Sequence, residues 1–166
     1  DAMDPDRRPA QLDSPVVSAL IKAGSRLNTR LYKLTGGRLG NRWRVGAAFT
    51  KPAPVGLLTT VGRKSGQRRT APLIYLRDDS TGTERFVVVA SQGGLPRNPA
   101  WYLNLVADPD VELQIGGRTH LLRARTADAD ERAALWPALV DLYADYDTYA
   151  AWTDREIPVV ICEPRT

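Results

Sequence analysis

The densest chemistry in this sequence is the run Thr59-Thr60-Val61-Gly62-Arg63-Lys64-Ser65-Gly66-Gln67-Arg68-Arg69-Thr70-Ala71-Pro72. Four cations and several hydroxyls crowd a turn that carries two glycines. Such turns expose backbone N–H groups, and Arg63, Lys64, Arg68 and Arg69 add charge-assisted donors. That is equipment for holding phosphate or carboxylate oxygens. It is not a P-loop, because GxxxxGK[ST] is absent. Charge alone favours a solvated basic hairpin.

A second group is Ala90-Ser91-Gln92-Gly93-Gly94, followed by Asn98-Pro99-Ala100-Trp101-Tyr102-Leu103-Asn104. Paired glycines after a strand let a flat ligand lie against the backbone, since Gly has no Cβ to block it. A helix capped at Asn98 turns its N-terminus toward an anion. An ordinary strand-to-helix loop, with Trp101 and Leu105 as core, fits the same residues. Tyr143, Tyr146, Tyr149 and Trp152 recur in steps of three, drifting about 60° around a helix at each step. They sweep half its surface, so some rings should reach a groove or solvent, where a Tyr hydroxyl donates a proton or hydrogen bond. A packing segment edged by tyrosines is the plainer reading. His120 is the one histidine, and no G-x-S-x-G elbow accompanies it. Cys162, beside Ile161, reads as a small buried hydrophobe. One Cys excludes a disulfide framework and a multi-Cys zinc site.

These groups need elements to carry them. Residues 55–61, 70–77 and 85–91 are apolar, β-branched segments between Gly, Ser and Asp turns, as strands require. Val111, Leu113 and Ile115 alternate, and Gly116-Gly117 makes a hairpin into a strand over 118–125. Residues 158–162 form a last strand. One helix runs from Asn98-Pro99 to Asp108-Pro109. Another starts at a capping box, Asp128 with Glu131, and should kink or restart at Pro137. About six strands in antiparallel runs, mainly β with flanking helices, suggest a small barrel with the helices packed around it.

Residues 1–12 read as a flexible tail. Residues 13–37 read as a basic amphipathic helix ended by Gly36-Gly37, and 38–166 as one domain. On that helix Val16, Leu20, Leu27, Leu31 and Leu34 fall within about 60°, with Lys22, Arg26, Arg30 and Lys33 opposite. A surface helix packed on a core is the first reading, and contact with a membrane surface the second. The chain has 166 residues, 43% hydrophobic and 25% charged, which is globular composition. The longest apolar run, residues 86–90, is far short of the ~20 residues of a membrane span. No charged-then-apolar leader opens the sequence, so export is not expected. The net charge of +4 is unevenly spread. Residues 1–70 hold 14 Lys and Arg against 4 Asp, and residues 71–166 hold 9 against 15 acids. A polyanionic partner suits the first part.

The segments LLTTVGRKSGQRRTAPLIYLRD, VVVASQGGLPRNPAWYLNLVADPDVELQI and WPALVDLYADYDTYAAWTDREIPVVICEP, in that order, resemble the deazaflavin-dependent nitroreductase family. The likeness spans residues 55–164 and is weaker in the N-terminal helix. It implies an actinobacterial split β-barrel of the FMN-binding, pyridoxamine-phosphate-oxidase-like kind. It also implies binding of coenzyme F420, a 5-deazaflavin with a ribityl phosphate, a lactyl group and an oligoglutamate tail. The activity implied is hydride transfer from the reduced coenzyme to a quinone, enone or nitroaromatic compound. By motif match Lys64 and Arg69 hold the phosphate and tail, with Arg63 and Ser65 assisting. Ala90, Ser91, Gly93 and Gly94 line the ring, with Pro72 and Asn104 nearby and Trp101 in support. Tyr143, Tyr146 and Tyr149 stand on the substrate side; for the mechanism, Ser91, one of these tyrosines or solvent is the expected source of the proton. Ile74 replaces a Tyr of the nitroreductase prototype, and Gln92 replaces a Lys.

An FMN-dependent reductase on the same fold and a non-catalytic F420 carrier are the alternatives. A nucleic-acid partner is not expected, for no recognition helix or stacking platform accompanies the cations. The chain is expected in the cytoplasm as a monomer or homodimer. The resemblance adds peripheral contact of residues 14–34 with the inner face of the cell membrane.

Overall fold

The computed structural model describes residues 15–37, 42–43 and 51–165. The tail over 1–12 lies outside them, as do the side chains of Val16, Leu20 and Lys22. In chain order the elements are α1 (Pro15–Thr35), β1 (Arg42–Trp43), β2 (Ala53–Val61), β3 (Arg68–Ile74), β4 (Leu76–Asp78), β5 (Arg85–Val89), α2 (Ala100–Ala107), β6 (Asp110–Ile115), β7 (Arg118–Thr126), α3 (Ala129–Leu142), α4 (Asp145–Trp152) and β8 (Val159–Pro164).

The sheet order is β1-β2-β6-β7-β8-β5-β4, with β3 also on β2, and every pairing is antiparallel. The segment expected as one strand over 70–77 is bent at Tyr75 into β3 and β4. Its first piece sets Ile74 opposite Val55 on β2, and its second sets Leu76 opposite Val87 on β5. The bend therefore joins the two ends of the sheet. The result is a barrel with helices around it, the split β-barrel expected, and closure covers edges that an open sheet would expose.

Alternation along the strands separates two cores. Leu58, Phe86, Val88, Leu113, Leu122 and Val160 share the barrel interior with Leu105, and Trp101 and Tyr102 of α2 pack against them. Val87, Val89, Val159 and Ile161 face outward beneath Leu135 and Leu139 of α3 and Tyr146 of α4.

The helices depart from expectation at three places. Asn98 is not the cap of α2, which begins at Ala100 after Pro99. Helix α3 runs unbroken across Pro137, because Leu135 and Leu139 on either side are buried and packing outweighs one missing N–H. The helix ends instead before Tyr143 and Ala144, so Tyr143 lies in the connection while Tyr146 and Tyr149 stand on α4. Finally, the described leucines of α1 do not pack on the core. Leu27, Leu31 and Leu34 are 60%, 38% and 83% exposed, and among the described side chains of α1 the buried one is Tyr32. Tyr32 is missing from the leucine stripe, yet its hydroxyl accepts the Gly116 N–H at 2.6 Å and donates to the Gln114 carbonyl at 3.2 Å. Gly37 closes the same junction, since a Cβ there would lie 2.4 Å from Gly116 Cα.

Candidate functional site

The turn between β2 and β3 is shaped by its own backbone. Gly62 N–H donates to the Gln67 carbonyl at 2.7 Å, and Gly66 N–H donates to the Gly62 carbonyl at 2.8 Å. Gly66 stands at φ +70°, a region in which glycine is at ease. A Cβ on Gly62 would lie 2.8 Å from Ser65 Oγ. That oxygen accepts the Gln67 N–H at 3.2 Å, which leaves the Ser65 proton to be donated outward.

Strand alternation then sorts the cations. Arg63, Lys64, Ser65 and Arg69 line a groove of about 370 Å³ whose other wall is Ala100, Trp101 and Asn104. Ala100 and Trp101 open α2, and the first N–H groups of a helix have no intrahelical acceptor. Arg68 points to the opposite face, where Glu112 pairs with its guanidinium. Three of the four cations therefore converge on one open groove beside a helix N-terminus.

Asn104 lines this groove but spends its amide on the protein. Its Oδ1 accepts the Arg63 backbone N–H at 3.1 Å and Arg63 Nη1 at 3.0 Å, while Nδ2 donates to the buried Thr60 hydroxyl at 3.3 Å. Pro72, opposite Leu57, alternates onto the face of Arg68 and does not line the groove. Ile74 packs against the outer core instead.

The glycine loop lies apart from the groove's lining. Ala90 is buried with its N–H on the Pro158 carbonyl, and Ser91 is buried at the start of a short turn over Gln92–Gly94. Gln92, Gly93 and Gly94 have φ of +44°, +62° and +77°. A Cβ on Gly93 would meet nothing within 4 Å, whereas one on Gly94 would lie 3.1 Å from the Tyr149 carbonyl. Gly93 thus faces open space and Gly94 packs on α4. Gln92 turns back on its own loop, and its amide group, oriented with the nitrogen toward the loop, donates to the carbonyls of Arg97 and Asn98 at 3.2 Å.

Sequence reasoning missed Arg155. It is the only cation between Arg132 and Arg165. Its guanidinium donates to the carbonyls of Ala90, Ser91 and Leu95 and to Asn98 Oδ1 at 2.8–3.1 Å. Isolation in an acidic stretch was the available signal.

Tyr143 and Tyr146 are buried in the outer core, with ring centroids 5.1 Å apart. Tyr149 and Trp152 are half-buried. The sweep around one helix fails for Tyr143, which lies beyond the end of α3. Its hydroxyl nonetheless meets that of Tyr149 at 3.1 Å. Burial raises the Tyr146 and Tyr149 phenols above their ordinary values, so both stay protonated at neutral pH. His120 rests on Phe86 with centroids 4.8 Å apart, and burial lowers its pKa. Burial pushes the Cys162 thiol up to about 12, which keeps it unreactive. Among the described residues no His, Cys, Asp and Glu group could hold a metal ion.

A groove with Arg63, Lys64 and Arg69 around it fits a ligand that ends in phosphate and carboxylates. Known proteins bear on the identity of that ligand. Rv3178 of Mycobacterium tuberculosis is 48% identical over 122 residues, covering 74% of this chain and 99% of its own. The F420H(2)-dependent quinone reductase Rv1261c of the same species is 37% identical over 143 residues, 84% of this chain and 89% of that one. Two solved structures are each 39% identical with a TM-score of 0.60 over 66% of this chain. One, an F420-H2 dependent reductase, is covered over 94% of its length; the other, described as a domain-swapped dimer, over 80%. The family model of F420H(2)-dependent quinone reductases matches residues 24–164, which takes in the cationic turn, the glycine loop, Arg155 and the tyrosines. The chain belongs to the F420H(2)-dependent quinone reductase family.

Proposed function

We propose that this chain passes a hydride from reduced coenzyme F420 to a quinone-type acceptor, and that the β2–β3 groove holds the coenzyme's anionic end. The convergence of Arg63, Lys64 and Arg69 beside the N-terminus of α2 carries this reading. The three cations neutralise phosphate and carboxylate oxygens, and the Ser65 hydroxyl and the opening amides of α2 add neutral donors. Asn104 keeps Arg63 in place. Pro72, Ala90, Ser91, Gly93 and Gly94 form the ring end, where open space over Gly93 lets a flat group approach the backbone. When bound and reduced, the coenzyme supplies a hydride. The chain's own part is to align the acceptor, exclude water and stabilise negative charge that develops on the acceptor oxygen. Ser91 and Tyr149 serve as the hydroxyls for that oxygen. Tyr143 acts through its bond to Tyr149, and Tyr146 supports both rings from within the core.

Two further features belong to this reading. Leu27, Leu31 and Leu34 of α1, with Arg26, Arg30 and Lys33 also exposed, suit the surface of an anionic membrane, where a quinone with an apolar tail would reside. No helix among the described residues is long and apolar enough to cross a membrane. The domain-swapped dimer described for one relative supports a homodimer as the assembly.

The test is to mix the protein anaerobically with reduced F420 and menadione and to follow the return of the oxidised coenzyme's absorbance. Oxidation that requires the protein and saturates with menadione is expected. Binding of F420 with no oxidation by a quinone, an enone or a nitroaromatic compound would make the chain a carrier. Binding of FMN in preference to F420 would make it a flavin reductase.

A further inference from the structure

We propose that Arg155 is the positioning residue for the ring end of the coenzyme site, acting through the backbone of the 90–98 loop. This rests on the reading above that the loop receives the deazaflavin ring. Four hydrogen bonds carry it. Arg155 Nη2 donates to the carbonyls of Ala90 at 3.1 Å and Ser91 at 2.8 Å, Nε to the Leu95 carbonyl at 2.9 Å, and Nη1 to Asn98 Oδ1 at 2.9 Å. One planar fork thereby ties the start of the loop to its end. Between the ties lie three successive residues with positive φ, among them Gln92, a conformation that an unstrapped non-glycine residue rarely holds. Gly94 is pressed against the backbone of Tyr149, so the loop has α4 on one side and Arg155 on another.

The chemistry of the partners is as telling as their number. All four are neutral oxygens, and among the described residues no carboxylate forms a salt bridge with Arg155. A guanidinium bonded to the Ala90 and Ser91 carbonyls polarises those two peptide groups, which makes the Ser91 and Gln92 N–H groups stronger donors. Lysine cannot replace it. One ammonium offers three donors from a single atom, and the four acceptors here need the spread of a guanidinium.

The experiment uses Arg155→Lys and the milder Asn98→Ala, each first checked for a near-ultraviolet circular dichroism spectrum like that of the unmodified protein. Both are titrated with two probes, complete F420 and the deazaflavin lacking phosphate and tail. Arg155→Lys should weaken both probes by the same factor, about tenfold. It should also shift the bound chromophore's absorption band and slow hydride transfer about 100-fold. Asn98→Ala should move each quantity in the same direction by less. Arg69→Ser, by contrast, should weaken only the complete coenzyme. Folded variants that bind both probes normally with an unshifted band would overturn the proposal, and so would a loss confined to complete F420. If Arg155→Lys fails to fold, Asn98→Ala alone decides in the same way. An unmodified protein that binds neither probe would instead overturn the underlying reading, and this inference with it.

Discussion

Asn104 shows how one side chain can shape a site through hydrogen bonds to the protein itself. It is 4% exposed, and its amide joins Arg63 of the turn to Thr60 of β2. Asn104→Ala removes both links and leaves the buried Thr60 hydroxyl without this donor, at a cost of about 1–3 kcal/mol. Thermal unfolding should show that loss, together with weaker F420 binding as Arg63 comes loose. The tyrosines divide by burial. Tyr149→Phe removes the half-buried hydroxyl and should lower kcat for menadione by about 10²-fold while the coenzyme still binds. Tyr146→Phe, deep in the core, should leave kcat within about twofold by the same comparison. Equal and full activity in both variants would remove the tyrosines from the acceptor side. The cations and glycines of the Gly62–Pro72 run were legible because they are local signals, but charge alone favoured a solvated hairpin, and the groove wall of Ala100, Trp101 and Asn104 was not legible. Arg155 was not, since its four acceptors come from residues 90–98 and only folding brings them to it.

Helix α1 was legible as an element but not as a packing surface. Its period placed the leucines on one face, yet the fold buries Tyr32 and leaves Leu27, Leu31 and Leu34 exposed. A helical period says which residues share a face, not which face the sheet will take. Replacing those three leucines by serine should abolish sedimentation with vesicles of phosphatidylglycerol and leave thermal stability almost unchanged, because they cover no core. Unchanged sedimentation would contradict the membrane contact. Helix α3 was read more completely, for the Asp128–Glu131 capping box forms as its spacing implies. Arg125 donates to both Glu131 oxygens at 2.7 and 2.8 Å and, with the Asp128 N–H, lowers the Glu131 carboxyl from 4.5 to about 2. A carboxyl lowered by folding stabilises the fold above its unfolded pKa, and that contribution is lost as pH falls through the folded value. The thermal midpoint of Glu131→Gln should therefore lie below that of the unmodified protein at pH 7. The gap should close between about pH 4.5 and pH 2. A gap that is constant with pH would contradict it.

At the scale of the molecule, antiparallel strands, flanking helices and a small barrel followed from alternation and turn residues, whereas the way the barrel closes did not. Closure depends on the bend at Tyr75, where one expected strand serves two neighbours. It also fixes where charge is used. Residues 1–70 carry ten more cations than acids, and within them alternation sends Arg69 to the groove and Arg68 to Glu112. The glycine loop is not part of the groove's lining but leads through residues 95–99 into Ala100, which is, and a coenzyme with a ring and a long anionic tail would span the two. The proposed role of the β2–β3 groove is to anchor the anionic end of F420. The most direct measurement is a fluorescence titration with F420, using FMN as control, on the unmodified protein and on Lys64→Ser and Arg69→Ser. F420 should bind in preference to FMN, and that binding should be weakened by salt and by at least about tenfold in each variant. Binding of F420 that neither substitution nor salt affects would contradict that role of the groove.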